Sequence, residues 1–189
     1  MPAKPTKFLS QKEITTNAGA KCYFTKNRLN TQLMAFFQFI ETQEIRADIH
    51  EIWDFISSPL NLKKITPEYM GFVVTNKMAE QKMYPGMIIT YKVSPVLGIK
   101  MNWVTEITQV KELEYFVDEQ RIGPYAMWHH EHKIEAIEGG VLMTDIVSYQ
   151  PPFGFIGTIA NSLFIRKQLQ GIFDYRKTAM EKQFGKTDR

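Results

Sequence analysis

Apolar and polar positions change period several times along this chain, and each change predicts an element. Residues 35–45 are rich in Phe, Ile and Thr and read as a strand. Asp48 is a good helix N-cap, with Glu51 three residues on. Ile49, Ile52, Trp53 and Ile56 then recur at helical spacing, which predicts a helix over 48–57. Ser58 and Pro59 stop it, and residues 60–65 form a second short helix that ends before Pro67. Six strand-like runs follow, at 71–77, 87–93, 99–108, 112–121, 126–137 and 141–149. Between them stand turn signals such as Tyr84-Pro85-Gly86, Gly123-Pro124 and Glu138-Gly139-Gly140. The short connections imply antiparallel neighbours.

From Ile156 to about Phe184 there is no proline, and Ile156, Ile159, Ala160, Leu163, Phe164, Leu169, Ile172, Phe173 and Met180 make an apolar stripe along one long helix. A seven-stranded sheet would expose a large apolar face unless something covers it, and only the final helix is long enough. The expected architecture is α+β: a curved seven-stranded antiparallel sheet wrapped around the C-terminal helix, with two short helices between strands one and two.

Charge divides the chain. Residues 1–33 carry Lys4, Lys7, Lys12, Lys21, Lys26 and Arg28 against Glu13 alone, so the rest of the chain is mildly acidic although the whole carries +3. The first 33 residues also lack a sustained period, and they read as a flexible basic extension ahead of a ligand-binding domain at 34–186. They lack the apolar centre of a secretory signal, and Glu13 with no clear amphipathic face argues against a transit peptide. The extension reads as an over-extended start or a dispensable tail, with Met34 as the alternative first residue. An acidic domain gives no reason to expect nucleic acid. The single cysteine, Cys22, excludes an internal disulfide framework and a cysteine-based zinc site. No apolar run reaches the length of a membrane span, so a cytoplasmic monomer or homodimer without stable membrane insertion is expected.

The order of motifs resembles the START-like superfamily, also called the SRPBCC or helix-grip fold. Ile49-His-Glu-Ile-Trp-Asp-Phe55 followed by Ser58-Pro-Leu-Asn-Leu62 and Ile65-Thr-Pro67 is similar to the first strand-to-helix unit of its bacterial small-ligand-binding members. Phe116-Val-Asp-Glu-Gln-Arg121, Gly123-Pro-Tyr125 and Trp128-His-His-Glu-His132 resemble the central hairpin of that subgroup. Asp145-Ile-Val-Ser-Tyr149, Pro152-Phe-Gly154, Arg166-Lys-Gln-Leu169 and Ile172-Phe-Asp-Tyr-Arg176 resemble its last strand and grip helix. The resemblance spans about Met34 to Phe184. It implies a cavity between sheet and helix for an apolar or amphipathic molecule such as a lipid, quinone or polyketide. A minority of members are cyclases or other enzymes.

Strand alternation sorts the candidate site residues by face. One face of the fifth run after the helices carries Trp128, His130, His132 and Ile134, and the other carries His129, Glu131, Lys133 and Glu135. The first set is expected to point inward. So are Trp103 with Ile99, Met101, Thr105 and Ile107, and Asp145 and Tyr149 with Val141, Met143 and Val147. On the fourth run Glu119 and Arg121 are assigned inward with Leu113, Tyr115 and Val117. The expected wall is apolar and aromatic, with a few polar inserts to orient a ligand. Trp103, Glu119, Arg121, Trp128, His130, His132 and Tyr149 are the expected ligand contacts. His130, His132 and Asp145 are candidates for acid–base catalysis by a cyclase or dehydratase. The alternative is a buried polar network that only satisfies its own groups. A metal on His130 and His132 with Glu119 or Asp145 is a weaker option, and the expectation is no metal and no cofactor. Lys63-Lys64 and Arg166-Lys167 read as solvated, and Ser94-Pro-Val-Leu-Gly98 as a lid or packed tip.

Overall fold

The computed structural model describes residues 11–15, 21–25, 34–76, 80–96 and 98–185. Among the described residues nine strands form one antiparallel sheet: β1 (Gln11–Thr15), β2 (Lys21–Thr25), β3 (Met34–Ile45), β4 (Val73–Val74), β5 (Met87–Val96), β6 (Ile99–Lys111), β7 (Tyr115–Ile122), β8 (Met127–Ile137) and β9 (Gly140–Gln150). Their order across the sheet is β1-β2-β3-β9-β8-β7-β6-β5-β4. The seven expected strands all form. The sheet also runs on into the extension, where β1 and β2 make a hairpin that pairs with β3 through Cys22–Phe37 to Thr25–Met34. An exposed strand edge offers a row of unpaired backbone groups, and here β2 takes up those at the start of β3. The expected flexibility of the extension's other residues, and the side chains of the Pro95–Leu97 tip, lie outside the described residues.

Helix α1 (Ile49–Ile56) begins where expected: the Asp48 carboxylate accepts a 2.8 Å hydrogen bond from the His50 amide and satisfies a backbone donor the helix cannot. It buries Ile52, Trp53, Phe55 and Ile56. The second helix is a 3₁₀ turn at Pro59–Ile65. Strand β4 is shorter than expected, because the Asn76 side chain takes over the strand's role. Its amide donates to the Ile88 carbonyl at 2.8 Å and its oxygen accepts from the Thr90 amide at 3.2 Å. The β6–β7 turn falls three residues later than expected. It lacks glycine and proline, and closes with Leu113 at φ +62° and a 2.8 Å Lys111–Glu114 ion pair.

The C-terminal helix is continuous but not uniform. An α-helical segment, α2 (Phe155–Ala160), passes through a π turn at Asn161–Ile165 into α3 (Arg166–Phe184). The buried stripe is Gly157, Asn161, Ile165, Leu169, Phe173, Arg176 and Met180. Steps of four through the wide turn rotate the stripe away from the one expected at 3.6 residues per turn. Leu169, Phe173 and Met180 are buried as expected, whereas Ile156, Ile159, Leu163 and Phe164 are exposed. Gly157 sits in the stripe because a Cβ there would collide with the Pro152 carbonyl. The helix packs on the sheet through two apolar clusters. Phe37, Phe39, Val147 and Tyr149 meet Ile165, Leu169 and Phe173. Nearer its end, Met180 joins Ile45, Ile52, Trp53, Val141 and Met143.

Candidate functional site

Three adjacent strands place a polar quartet on the inner face. Asp118 on β7 is in register with His130 on β8, and His132 on β8 is in register with Asp145 on β9. Paired positions share a face, as do positions two apart on one strand, so all four side chains project to the same side. Each imidazole then touches both carboxylates. Asp145 Oδ1 lies 2.9 Å from His130 Nε2 and 2.7 Å from His132 Nδ1. Asp118 Oδ2 lies 2.9 Å from His132 Nε2 and 3.4 Å from His130 Nδ1. The imidazole centroids are 3.7 Å apart, and the His132 ring stacks on Phe116 at 4.2 Å. From α3, Arg176 donates through Nη1 to Asp145 Oδ1 at 3.2 Å, and its guanidinium covers the Phe173 ring at 4.7 Å.

His130, His132, Asp145 and Arg176 are all buried. Burial penalises each charge, so the group must balance internally. With neutral imidazoles the two carboxylates and one guanidinium sum to −1, and one proton on the histidine pair cancels it. For Asp145, burial alone would raise the pKa, but the Arg176 charge and the two histidines hold it well below the usual carboxylate range. Burial opposes ionisation of Asp118 too, and hydrogen bonds from His130 and His132 pull its pKa down. Burial disfavours the His132 cation, but the two carboxylates outweigh it and raise its pKa.

Three of the quartet, all but Asp145, reach a cavity of about 140 Å³ between the sheet, the 3₁₀ turn and α3. Asp118, His130, His132 and Arg176 line it, and the remaining wall is mostly apolar, with Ile65, Met70, Ile89 and Leu169 among its residues. An aromatic group forms another side. Trp103 stacks on Tyr91 at 6.1 Å, meets Trp128 edge-on at 5.4 Å, and Trp128 lies 4.9 Å from Tyr125. The Tyr91 hydroxyl shares a 2.6 Å hydrogen bond with Thr105. Two buried donors in this wall, Trp103 Nε1 and Arg176 Nε, have no hydrogen-bond partner among the described residues. A buried donor without a partner carries its full desolvation penalty, so each marks a position that a ligand acceptor or water would stabilise.

Of the residues expected from the sequence, Trp103, Trp128, His130 and His132 line the cavity, and Asp145 stands behind the histidines. Tyr149 is buried on the inner face, and its hydroxyl donates to Asn161 Oδ1 at 2.7 Å. It braces the helix rather than lining the cavity. Glu119 and Arg121 lie on the opposite face of β7, which corrects their inward assignment. Arg121 bonds Glu106 at 2.6 Å and Glu119 at 3.1 Å, and Glu119 reaches His129 at 3.1 Å. The error has a physical source. Phe116 and Val117 point to opposite faces and both are buried, so apolar alternation does not mark the inner face of β7. Asp118 is therefore the site carboxylate on this strand, and its pairing with His130, rather than any local pattern, is what separates it from Glu119. Arg176 was also missed. It falls on the buried stripe, three residues past Phe173 and four before Met180.

No family model and no curated protein matches the chain. Solved structures do. Protein Ms6760 from Mycobacterium smegmatis superposes with a TM-score of 0.56 at 17% identity, covering 77% of this chain and 92% of that one. Protein CV1439 from Chromobacterium violaceum gives a TM-score of 0.60 at 12% identity, over 79% of this chain and 99% of that one. Ginseng major latex-like protein 151 from Panax ginseng gives 0.56 at 11% identity, over 79% and 97%. At these identities the likeness concerns the fold. Among the described residues, no helix is long and apolar enough to cross a membrane. The antiparallel sheet closed over a long C-terminal helix, and its shared shape with these proteins, place the chain in the START-like, helix-grip fold.

Proposed function

We propose that the protein binds a small, mostly apolar molecule in the cavity between sheet and α3, with the molecule's polar end against the quartet. The carrying observation is an apolar wall that ends at Asp118, His130, His132 and Arg176 and includes unpartnered donors at Trp103 Nε1 and Arg176 Nε. Ligand sites combine a large apolar lining with a few orienting polar groups in this way. The volume sets the size. An apolar cavity of about 150 Å³ accepts benzene, so 140 Å³ suits a single-ring compound or a short chain. A quinone or polyketide fits here through one ring, with any tail leaving the cavity.

The test is native mass spectrometry of the purified full chain, followed by tryptophan fluorescence titration with single-ring aromatics bearing a carboxylate, phenol or carbonyl. One retained molecule, or quenching that saturates at one equivalent, supports binding. No retained mass and no response across the panel overturns it. A second reading, acid–base catalysis in the same cavity, draws on the two 2.9 Å histidine–carboxylate contacts. An imidazole held between carboxylates passes protons to and from a bound substrate. That reading requires turnover that His132→Gln abolishes while ligand uptake persists.

A further inference from the structure

We infer that Asp118, His130 and His132 together form a binding site for a first-row divalent transition cation of the zinc or cobalt type. The inference stands independently of the ligand reading, because three side chains hold a cation whether or not an organic molecule fills the cavity.

Proton accounting leads to it. Asp145 Oδ1 faces three donors: His130 Nε2 at 2.9 Å, His132 Nδ1 at 2.7 Å and Arg176 Nη1 at 3.2 Å. A neutral imidazole pair has two ring protons for its four carboxylate contacts, and a cation at Asp118 requires both of them to face Asp145. His130 Nδ1 and His132 Nε2 are left with lone pairs, and both face Asp118 Oδ2, at 3.4 and 2.9 Å. Three acceptors thus converge with no donor among them. One proton satisfies one of the two contacts and leaves the other nitrogen against a carboxylate. A second proton satisfies both, but leaves two imidazolium rings with centroids 3.7 Å apart in a buried site. A dication satisfies all three lone pairs at once.

The geometry suits it. One donor atom from each of Asp118, His130 and His132 lies within 4.8 Å of the other two. Zinc binds nitrogen and oxygen at about 2.0–2.2 Å, so tetrahedral ligand atoms stand roughly 3.3 Å apart. The observed 2.9 and 3.4 Å contacts bracket that spacing. Two imidazoles and one carboxylate favour zinc, cobalt or iron over magnesium or calcium, which prefer all-oxygen shells. Asp145 supplies the outer support that metal-bound histidines need, since it takes the far ring proton of both. Three protein ligands leave at least one coordination position, and these residues line the cavity. With the cation in place, the quartet and Arg176 sum to +1. The open position therefore favours an anionic oxygen, such as hydroxide or a ligand carboxylate or phenolate.

The experiment uses the full chain, stripped with a chelator and titrated with Co²⁺ and then Zn²⁺. Visible absorbance reports Co²⁺ uptake, and nitrogen-15 spectra of the four histidines report which ring atoms bind Zn²⁺. Saturation at one equivalent is expected, with the metal-free ring signals lost at His130 Nδ1 and His132 Nε2. Asp118→Asn should weaken affinity at least about tenfold, and His129→Gln, on the opposite face, should leave it unchanged. Absence of saturable uptake overturns the inference. So does equal uptake by Asp118→Asn, or ligation through His50, His129 or the ring nitrogens facing Asp145. If Asp118→Asn does not fold, the nitrogen-15 assignment on the unmodified chain decides alone.

Discussion

His132 and Asp145 stand opposite each other on β8 and β9, and His132 Nδ1 lies 2.7 Å from Asp145 Oδ1. That contact ties the site to the stability of the fold. Asp145 is also the partner of His130 and Arg176. Asp145→Ala leaves a buried guanidinium without its counter-charge, and breaking a buried pair from one side costs about 3–5 kcal/mol. Urea denaturation of the variant should show that loss. A change below about 1 kcal/mol would mean that solvent reaches Arg176.

Acid should weaken the protein through the same residues. Asp118 and Asp145 have pKa values lowered by folding. As pH falls below the ordinary carboxylate value near 4, the unfolded chain takes up protons that the folded chain does not, and stability drops. The contribution is fully present above that value and is lost toward the folded pKa values. Urea midpoints in chelator-treated protein between about pH 7 and 3 should show this decline, and Asp118→Asn should flatten it.

Alkali should weaken it through different residues. Burial raises the pKa of Tyr91 and Tyr125, with a further push from Asp118 on the first and Tyr149 on the second. Above the ordinary tyrosine value near 10, the unfolded chain loses these protons and the folded chain keeps them, so stability falls as pH rises. Below that value the contribution is complete. Tyr125→Phe should remove part of the slope in urea midpoints above about pH 10. An identical slope in the variant would mean that its phenol is solvated.

Trp103 offers a test that separates binding from stability. Its Nε1 is a buried donor without a partner among the described residues. Trp103→Phe removes that donor, and thereby offsets part of the lost apolar contact. A ligand that accepts a hydrogen bond there should lose about 0.5–1.5 kcal/mol of affinity in calorimetry. Equal affinities would place the ligand's polar end at the quartet alone.

The sequence conveyed the fold more fully than the site. Alternation along β8 put His130 and His132 on the inner face, because their outward neighbours Glu131 and Lys133 are charged, and on β9 Asp145 falls with the apolar Val141, Met143 and Val147. Along β7 the same rule picked Glu119 over Asp118, since an apolar residue stands on both faces and a charged residue on each. Only pairing with β8 separates them, and pairing is a long-range fact. Arg176 and Asn161 were hidden for another reason. Both are polar residues on a buried helical stripe, and each is paid for by one partner elsewhere in the sequence: Asp145 and Tyr149. A search for apolar periodicity passes over both.

The quartet consists of two facing pairs on three strands, and this makes it sensitive to chain length. Side chains alternate with a period of two, so one residue inserted between His132 and the turn at Gly139 would carry His129 and Glu131 inward and both cavity histidines outward. The loss of a residue there would do the same. The sheet itself tolerates such a shift better than the site does, because bulges absorb single residues, as they already do between β6 and β7. Relatives of equal fold can therefore differ completely at this position through one insertion or deletion, and shared shape is a poor guide to whether they keep the same chemistry.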